Sequence, residues 1–301
     1  MDDATVSARA RVLAAALEPF AGQVYFSREC HERYEALGFG PSPATTPEGV
    51  HLPDGPAYFC SRGSVMGQVP GELVAAAFAV FNPAVVIPLV AHGWTLTDAP
   101  TICAARTEGA VAQLTRILGE APEGIERAVD LLTAAVEPLR PEGRPLFAGL
   151  RSLGLPGDPL ADAWRQADLL REYRGDAHTA AWTSAGLDAT EIGLLTELSW
   201  GLPMGSYSRT RAWSRDDLAA AQDRLRARRL IGPGDEGYTA TGRAHRDDIE
   251  LATDLQCRPA IEALGDDLDE LLGLLAPWGA AIRDASGYLP SGPHDLLGAR
   301  G

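Results

Sequence analysis

Apolar residues recur at helical spacing along most of the first 185 residues. In the segment 122–139, five apolar side chains follow one another at steps of three and four: Ile125, Val129, Leu132, Val136 and Leu139. Such steps place them on one face of a helix. Comparable stripes predict helices at about 4–20, 22–37, 104–118 and 158–175. Because no period-two alternation in this part is long enough to found a sheet, the pattern predicts an all-helical domain over residues 1–185.

The most apolar stretch runs from Leu73 to Val90 and approaches the length of a membrane span. Asn82-Pro83 and Pro88 interrupt it, and proline breaks helices. The sequence therefore predicts a buried helix that ends near Phe81, followed by a second short apolar piece. A membrane is not expected as a partner.

The pattern changes after residue 186. Residues 188–200 and 214–228 predict two capped helices, and residues from 241 onward predict a further long helix. Between them, residues 230–231 and 238–239 predict two short strands around a glycine-rich turn. Helix, helix, hairpin, helix is the order of a winged helix. We therefore expect a second domain over residues 186–301, which ends in one more helix, and a mainly α fold overall.

Three neighbouring segments carry a resemblance to known proteins. Residues 218–231, the glycine-rich turn and residues 238–243 resemble the recognition helix, wing and exit helix of MarR-type winged helices. Over its full length the chain also resembles an actinobacterial family that joins a helical N-terminal part to such a module. Four motifs carry that second likeness: Arg62-Gly63 with Gly67, Asn82-Pro83, residues 143–146 and residues 170–178. The resemblance implies this architecture and no particular reaction.

Composition and charge exclude several functions. All 26 basic residues are arginine, which rules out a Schiff-base lysine, a pyridoxal-phosphate enzyme and a P-loop lysine. Because the formal net charge is −15, a general nucleic-acid coat protein is not expected. The four cysteines are isolated from one another, so neither a disulfide framework nor a metal site is predicted. With an acidic N-terminus unlike a secretory signal, the chain is expected to be cytoplasmic.

Candidate chemistry concentrates at residues 171–182. If the helix beginning at Asp158 continues through Gly175, then one face carries four polar or aromatic residues: Arg171, Arg174, His178 and Trp182. Glu172 and Asp176 lie one turn apart on a neighbouring face, placed to pair with the arginines or to orient the histidine. Two arginines can clamp a carboxylate, phosphate or enolate oxygen while His178, assisted by Asp176, moves a proton. An ion network between helices is the alternative interpretation.

A second candidate anion site is Arg62 with the backbone of Gly63 and Gly67, just before a helix N-terminus. Its alternative is tight helix packing through the two glycines. The six tryptophans supply aromatic surface for an apolar pocket, yet neither they nor one histidine specify haem, flavin or any other cofactor.

Two hypotheses of function follow. The first is a small-molecule protein that holds an organic ligand in its helical part, either as a binder or as a cofactor-independent acid–base enzyme. The second is a ligand-responsive MarR-like transcription regulator that acts as a homodimer. Its DNA contacts would come from four arginines: Arg209, Arg211, Arg215 and Arg224. We favour the first, because Asp216 and Asp217 occupy the first turn of the recognition helix, where carboxylates repel phosphate.

Overall fold

A computed structural model describes residues 1–234 and 237–290 of the chain. Most of these residues are helical, as the apolar spacing predicts. The α-helices in chain order are α1 (Asp3–Gly22), α2 (Arg28–Ala36), α3 (Gly55–Gly63), α4 (Gly71–Ala77), α5 (Pro83–Leu96), α6 (Ala99–Leu118), α7 (Ile125–Val136), α8 (Pro145–Ser152), α9 (Pro159–Ser184), α10 (Ala189–Ser199), α11 (Arg215–Ala227), α12 (Ala240–Gln256), α13 (Arg258–Leu264) and α14 (Leu268–Asp284). Short 3₁₀ turns occupy Gln23–Tyr25, Ser64–Met66, Ser208–Arg211 and Gly265–Asp267.

The long helix α9 organises the molecule. Its N-terminus is set by Asp158, whose carboxylate accepts hydrogen bonds from the backbone N–H groups of Leu160 and Ala161. Pro159 occupies the first turn, where no N–H partner is needed. The helix continues through Gly175, although glycine costs a helix interior about 1 kcal/mol relative to alanine. Packing against α1, α7, α8 and α12 offsets that cost.

Buried apolar side chains form two clusters. The larger one surrounds the first half of α9 and includes Trp164, which is fully buried. The smaller one joins the end of α9, at Trp182, to α10 and α11 through Leu194 and Leu225. Helices α13 and α14 pack into the larger cluster, so the chain returns to the N-terminal part after residue 257. The predicted domain boundary between residues 185 and 186 stays a prediction.

The predicted β-hairpin wing is wrong. Within residues 1–234 and 237–290 there is no sheet, only two isolated antiparallel bridges, Thr45↔His51 and Ile231↔Tyr238. The second bridge lies where the wing was expected. It does not extend because Thr239 already caps α12, its hydroxyl accepting from the N–H of Gly242, so the chain enters a helix at once. Residues 235 and 236 of the expected turn lie outside the described residues.

Two other sequence expectations concern helix breaks. The apolar stretch 73–90 divides into α4 and α5, with Asn82 capping α5 through the N–H of Ala84, so the predicted break at Asn82-Pro83 is confirmed. The first helix ends at Ala77 rather than near Phe81, and Pro88 lies inside α5 instead of interrupting it. The C-terminal segment, expected as one helix, is two, because Gly265 adopts a left-handed backbone (φ +49°) after α13. Among the described residues, no helix combines the length and apolar character needed to cross a membrane.

Candidate ligand cavity beside the smaller apolar cluster

A cavity of about 220 Å³ lies beside the smaller apolar cluster, whose Val80, Ile192 and Trp213 line it. Its walls come from α1, α9, α10 and α12, and from the segment 200–213 between α10 and α11. The side chains that give it chemical character are Arg174, His178, Trp200, Arg211, Trp213 and Arg246. We call this space the interface cavity. It is the place where the sequence-predicted Arg174 and His178 meet residues more than twenty positions away in the chain.

Three arginines on one side of the interface cavity share two carboxylates. Arg174 Nη2 lies 2.8 Å from Asp254 Oδ1 and 3.1 Å from Glu250 Oε2. Arg11 Nε lies 2.6 Å from Asp254 Oδ2, and Arg246 Nη1 lies 2.6 Å from Glu250 Oε1. Burial opposes ionisation of Glu250, yet the neighbouring positive charges outweigh it and hold its pKa well below the usual range. This side of the cavity therefore carries an excess of one positive charge.

His178 lines the interface cavity, and its imidazole ring is neutral. Its Nδ1 lies 3.1 Å from the hydroxyl oxygen of Thr253, whose own hydrogen is donated to the carbonyl of Ile249 at 2.8 Å. The Thr253 oxygen can therefore only accept from Nδ1–H, which leaves Nε2 as a hydrogen-bond acceptor. Burial lowers the pKa of His178 to about 4, although the negative charge of Glu250 opposes this shift. At neutral pH the ring carries no charge and is a weak base.

The opposite wall contains Arg211, which has no carboxylate partner among the described residues. Its guanidinium carbon lies 4.4 Å from the ring centre of Tyr207 and 4.7 Å from that of Phe81, and Nη2 donates to the Tyr207 hydroxyl. Its Nε is buried, and no described residue forms a hydrogen bond with it. Burial, together with the nearby charges of Arg62 and Arg171, lowers the pKa of Arg211 to about 10. The group remains charged at neutral pH, so the cavity has four arginines against two carboxylates.

The segment that carries Arg211 is held by a buried carboxylate. Glu197 is fully buried, and its two carboxylate oxygens accept from the backbone N–H groups of Gly205 and Ser208. Ser208 is 2% exposed, and its hydroxyl has no partner in the described structure. A Cβ on Gly193 would lie 2.7 Å from that hydroxyl oxygen, so glycine permits the close approach.

The same segment is tied to the N-terminal part of the chain by hydrogen bonds to the link between α4 and α5. The Asn82 N–H donates to the carbonyl of Arg211 at 3.0 Å, and the Trp213 indole N–H donates to the carbonyl of Val80 at 2.9 Å. These two hydrogen bonds fix the Arg211 wall of the interface cavity to the link between α4 and α5.

A second cavity of about 220 Å³ shares Arg174, Trp200 and Tyr207 with the interface cavity. Its charged side chains are paired. Arg62 Nη2 lies 2.7 Å from Glu172 Oε2, and Arg171 Nε lies 3.0 Å from Glu18 Oε2. Burial opposes ionisation of Glu172, but Arg62 and Arg171 lower its pKa to about 2. Arg171 and Glu172 thus belong to an ion network between helices, which was the alternative interpretation of this segment.

Several sequence-predicted site residues lie apart from the interface cavity. Asp176 is on another side of α9 from His178, where its carboxylate accepts from the N–H of Phe147 at 3.1 Å. Trp182 is buried in the smaller cluster. Gly63 packs against Val74, so the structure does not gather Arg62, Gly63 and Gly67 into one anion site.

The four arginines proposed as DNA contacts also separate. Arg224 Nη2 lies 2.6 Å from Asp188 Oδ2, and Arg211 lines the interface cavity. Arg209 and Arg215 are exposed. Asp217 completes a capping box with Ser214 at the start of α11, so an acidic residue is part of the first turn of this helix.

Sequence reasoning missed Arg11, Arg246 and Glu250 as cavity residues. One signal could have found two of them: Arg246, Glu250 and Asp254 follow at steps of four and so share one face of α12. Nothing in the sequence pattern pairs Arg11 with that face, since 243 positions separate it from Asp254.

Helices α10 and α11 follow one another in the chain and pack together, joined by the irregular segment 200–214. The model of a family described as a helix-turn-helix family matches residues 10–290, and the chain belongs to that family. Comparisons with curated proteins and with solved structures give no match.

Proposed function

We propose that the interface cavity binds a small organic anion with a single ring. Arg211 carries this proposal: a half-buried cation without a carboxylate partner among the described residues, on the wall of a cavity that three other arginines also reach. Buried charges are normally paired, because removing an ion from water costs several kcal/mol. An anionic ligand supplies the missing partner.

The size and walls of the interface cavity narrow the class of ligand. A cavity of about 150 Å³ accepts benzene, so about 220 Å³ accommodates one ring with a carboxylate or phosphate substituent. Trp200 and Trp213 supply flat apolar surfaces for the ring. The unpartnered Ser208 hydroxyl and the acceptor nitrogen of His178 add two neutral hydrogen-bonding groups.

Binding without catalysis suits this site better than acid–base chemistry. A general acid or base works best with a pKa near the working pH. His178 has a pKa of about 4 and is separated from Asp176, its proposed partner. We therefore assign the ligand a binding role and His178 the role of a hydrogen-bond acceptor.

A ligand-responsive regulator that docks on DNA as a homodimer is the second candidate. It is favoured by membership of a helix-turn-helix family and by the exposed side chains of Arg209 and Arg215 at the start of the α11 region. In that candidate the ligand would act through the segment 200–213, which both lines the interface cavity and leads into α11.

Calorimetric titration with benzoate, phenyl phosphate and neutral benzamide tests the proposed binding function. We expect at least one of the two anions to bind, and benzamide to bind at least tenfold more weakly. Arg211→Gln should lower the anion affinity roughly 10- to 100-fold, since a charge-assisted hydrogen bond contributes about 1.5–3 kcal/mol.

Arg209→Gln is the matched control, because Arg209 lies in the same 3₁₀ turn but is exposed to solvent. It should leave the affinity unchanged. Failure of both anions to bind, or equal binding by the Arg211→Gln variant, would refute the proposal.

A further inference from the structure

A cavity of about 900 Å³ lies on the other side of α9 from the interface cavity, between α4, the start of α6, α8 and the second half of α9. Its lining is mostly apolar and includes Val65, Met66, Val69, Leu73, Leu153 and Ala180. We call it the apolar cavity. Leu73 and Leu153 on its walls are 53% and 43% exposed, so apolar side chains remain in contact with water there.

One carboxylate, that of Asp176, lies among these apolar residues. Asp176 is 4% exposed, and among the described residues it forms no ion pair. The other two buried carboxylates of α9 are each paired with arginine: Asp168 with Arg106 at 2.9 Å, and Glu172 with Arg62 at 2.7 Å. Among the buried carboxylates of α9, Asp176 is therefore the one without an arginine partner in the described structure.

Helix capping accounts for only part of the environment of Asp176. Its Oδ2 accepts from the N–H of Phe147 in the first turn of α8, whose N-cap residue Arg144 provides no side-chain cap. A helix N-terminus is equivalent to roughly half a positive charge. When Asp176 is ionised, its negative charge has no cationic side chain to pair with among the described lining residues.

The walls around Asp176 are set by close backbone packing. A Cβ on Gly149 of α8 would lie 2.4 Å from the carbonyl oxygen of Val65, so glycine lets α8 lie directly on the 3₁₀ turn Ser64–Met66. Both Gly149 and Val65 line the apolar cavity. Its shape therefore depends on backbone contacts that a side-chain rotation cannot relax.

We propose that the apolar cavity is a second binding site, which takes an elongated apolar molecule with a terminal ammonium group that pairs with Asp176. The hydrocarbon part covers Leu73, Leu153 and their apolar neighbours, a contribution of about 25 cal/mol per Å² buried. The ammonium group gives Asp176 a cationic partner, as Arg106 does for Asp168 and Arg62 does for Glu172. The ligand is opposite in charge to that of the interface cavity, so the two proposals stand or fall separately.

Titration with n-octylamine, 1-octanol and octanoate at pH 8 tests this proposal. We expect the wild-type protein to bind octylamine more tightly than octanol, and octanoate most weakly. Asp176→Asn keeps an oxygen that can accept from the Phe147 N–H but removes the charge. It should weaken octylamine binding at least tenfold and leave octanol binding unchanged.

Asp162→Asn is the matched control, the same substitution in the first turn of α9 and outside the cavity lining. It should bind octylamine like the wild type. The proposal is overturned if octylamine does not bind, if it binds Asp176→Asn equally well, or if octanoate binds more tightly than octylamine.

The wild-type protein offers a test that needs no variant. Burial raises the pKa of Asp176 to about 7, with Glu172 adding to the shift and Arg62 opposing it. Among the described lining residues, Cys103 of α6 is the other ionisable group. Octylamine affinity should fall as the pH drops from 8 to 6 while octanol affinity stays constant; an unchanged octylamine affinity over that range contradicts the pairing.

Discussion

At the scale of single residues, the chemistry of this protein depends on which charges find partners. Arg106, Arg174 and Arg62 each lie within 3 Å of a carboxylate, and Coulombic attraction compensates their loss of water. Arg211 is half-buried and Asp176 is buried, and neither has an oppositely charged partner among the described residues; they line different cavities. Both proposals rest on these two exceptions.

Two buried histidines make the stability of the fold depend on pH. Burial lowers the pKa of His31 to about 4, with His51 adding to the shift, and lowers that of His178 to a similar value. Neither ring nitrogen of His31 has a hydrogen-bond partner in the part of the chain that the structure describes. Since the unfolded chain binds these protons near pH 6.5, the free energy of unfolding should fall as the pH drops from 6.5 to 4.

The raised pKa of Asp176 has the opposite effect between pH 7 and 4, because its folded form takes up a proton earlier. Two histidines outweigh one aspartate, so we expect the melting temperature to decrease over this range. His31→Gln should make the decrease shallower. Melting curves recorded between pH 7 and 4.5 check this, and a constant or rising melting temperature would contradict it.

At the scale of elements, apolar periodicity and capping residues predict helices well but not the connections between them. The five-residue stripe of α7 and the Asp158 cap of α9 are local features, and the structure contains both helices. The hairpin failed because pairing of two-residue strands is weak, while the Thr239 cap commits the chain to α12. The segment 200–213 lacks a helical pattern, and its conformation depends on Glu197.

Replacement of Glu197 tests that dependence. Glu197→Gln retains the shape of the side chain but replaces one acceptor oxygen with an N–H₂ donor, which faces a backbone N–H group. We expect the free energy of unfolding to fall by about 1–3 kcal/mol. Amide hydrogen exchange at Gly205 and Ser208 should also become faster than in the wild type.

Glu126→Gln, at an exposed position of α7, is the control and should change neither quantity. Unfolding in urea measures the stability of all three proteins. If Glu197→Gln is as stable as the wild type and the two amides exchange at their original rates, the buried carboxylate does not hold the segment.

At the scale of the whole molecule, charge argues against tight binding to DNA. The chain has a formal net charge of −15, and Asp216 and Asp217 stand in the first turn of α11. Arg224 pairs with Asp188, and Arg226 pairs with Asp223, so these arginines are partly neutralised before any DNA approaches. Arg209 and Arg215 are left to contact phosphates.

We therefore expect no binding to a labelled duplex taken from the region upstream of the protein's own gene. Fluorescence anisotropy at about 50 mM salt, where phosphate contacts are strongest, measures this directly. Binding that weakens with added salt, and that is lost in the double variant Arg209→Gln and Arg215→Gln, would instead establish the regulator.

The sequence by itself determined the helical class, the main helix starts and the break at Asn82-Pro83, because capping and apolar spacing act over a few residues. It also brought His178 and Arg174 to one face of α9. Only the tertiary structure decided that Arg211 belongs to a cavity wall, that Asp176 faces the opposite side, and that Arg11 pairs with Asp254. Periodicity tells which face of a helix is buried, but Coulombic partners are chosen by distance in space between helices far apart in the chain.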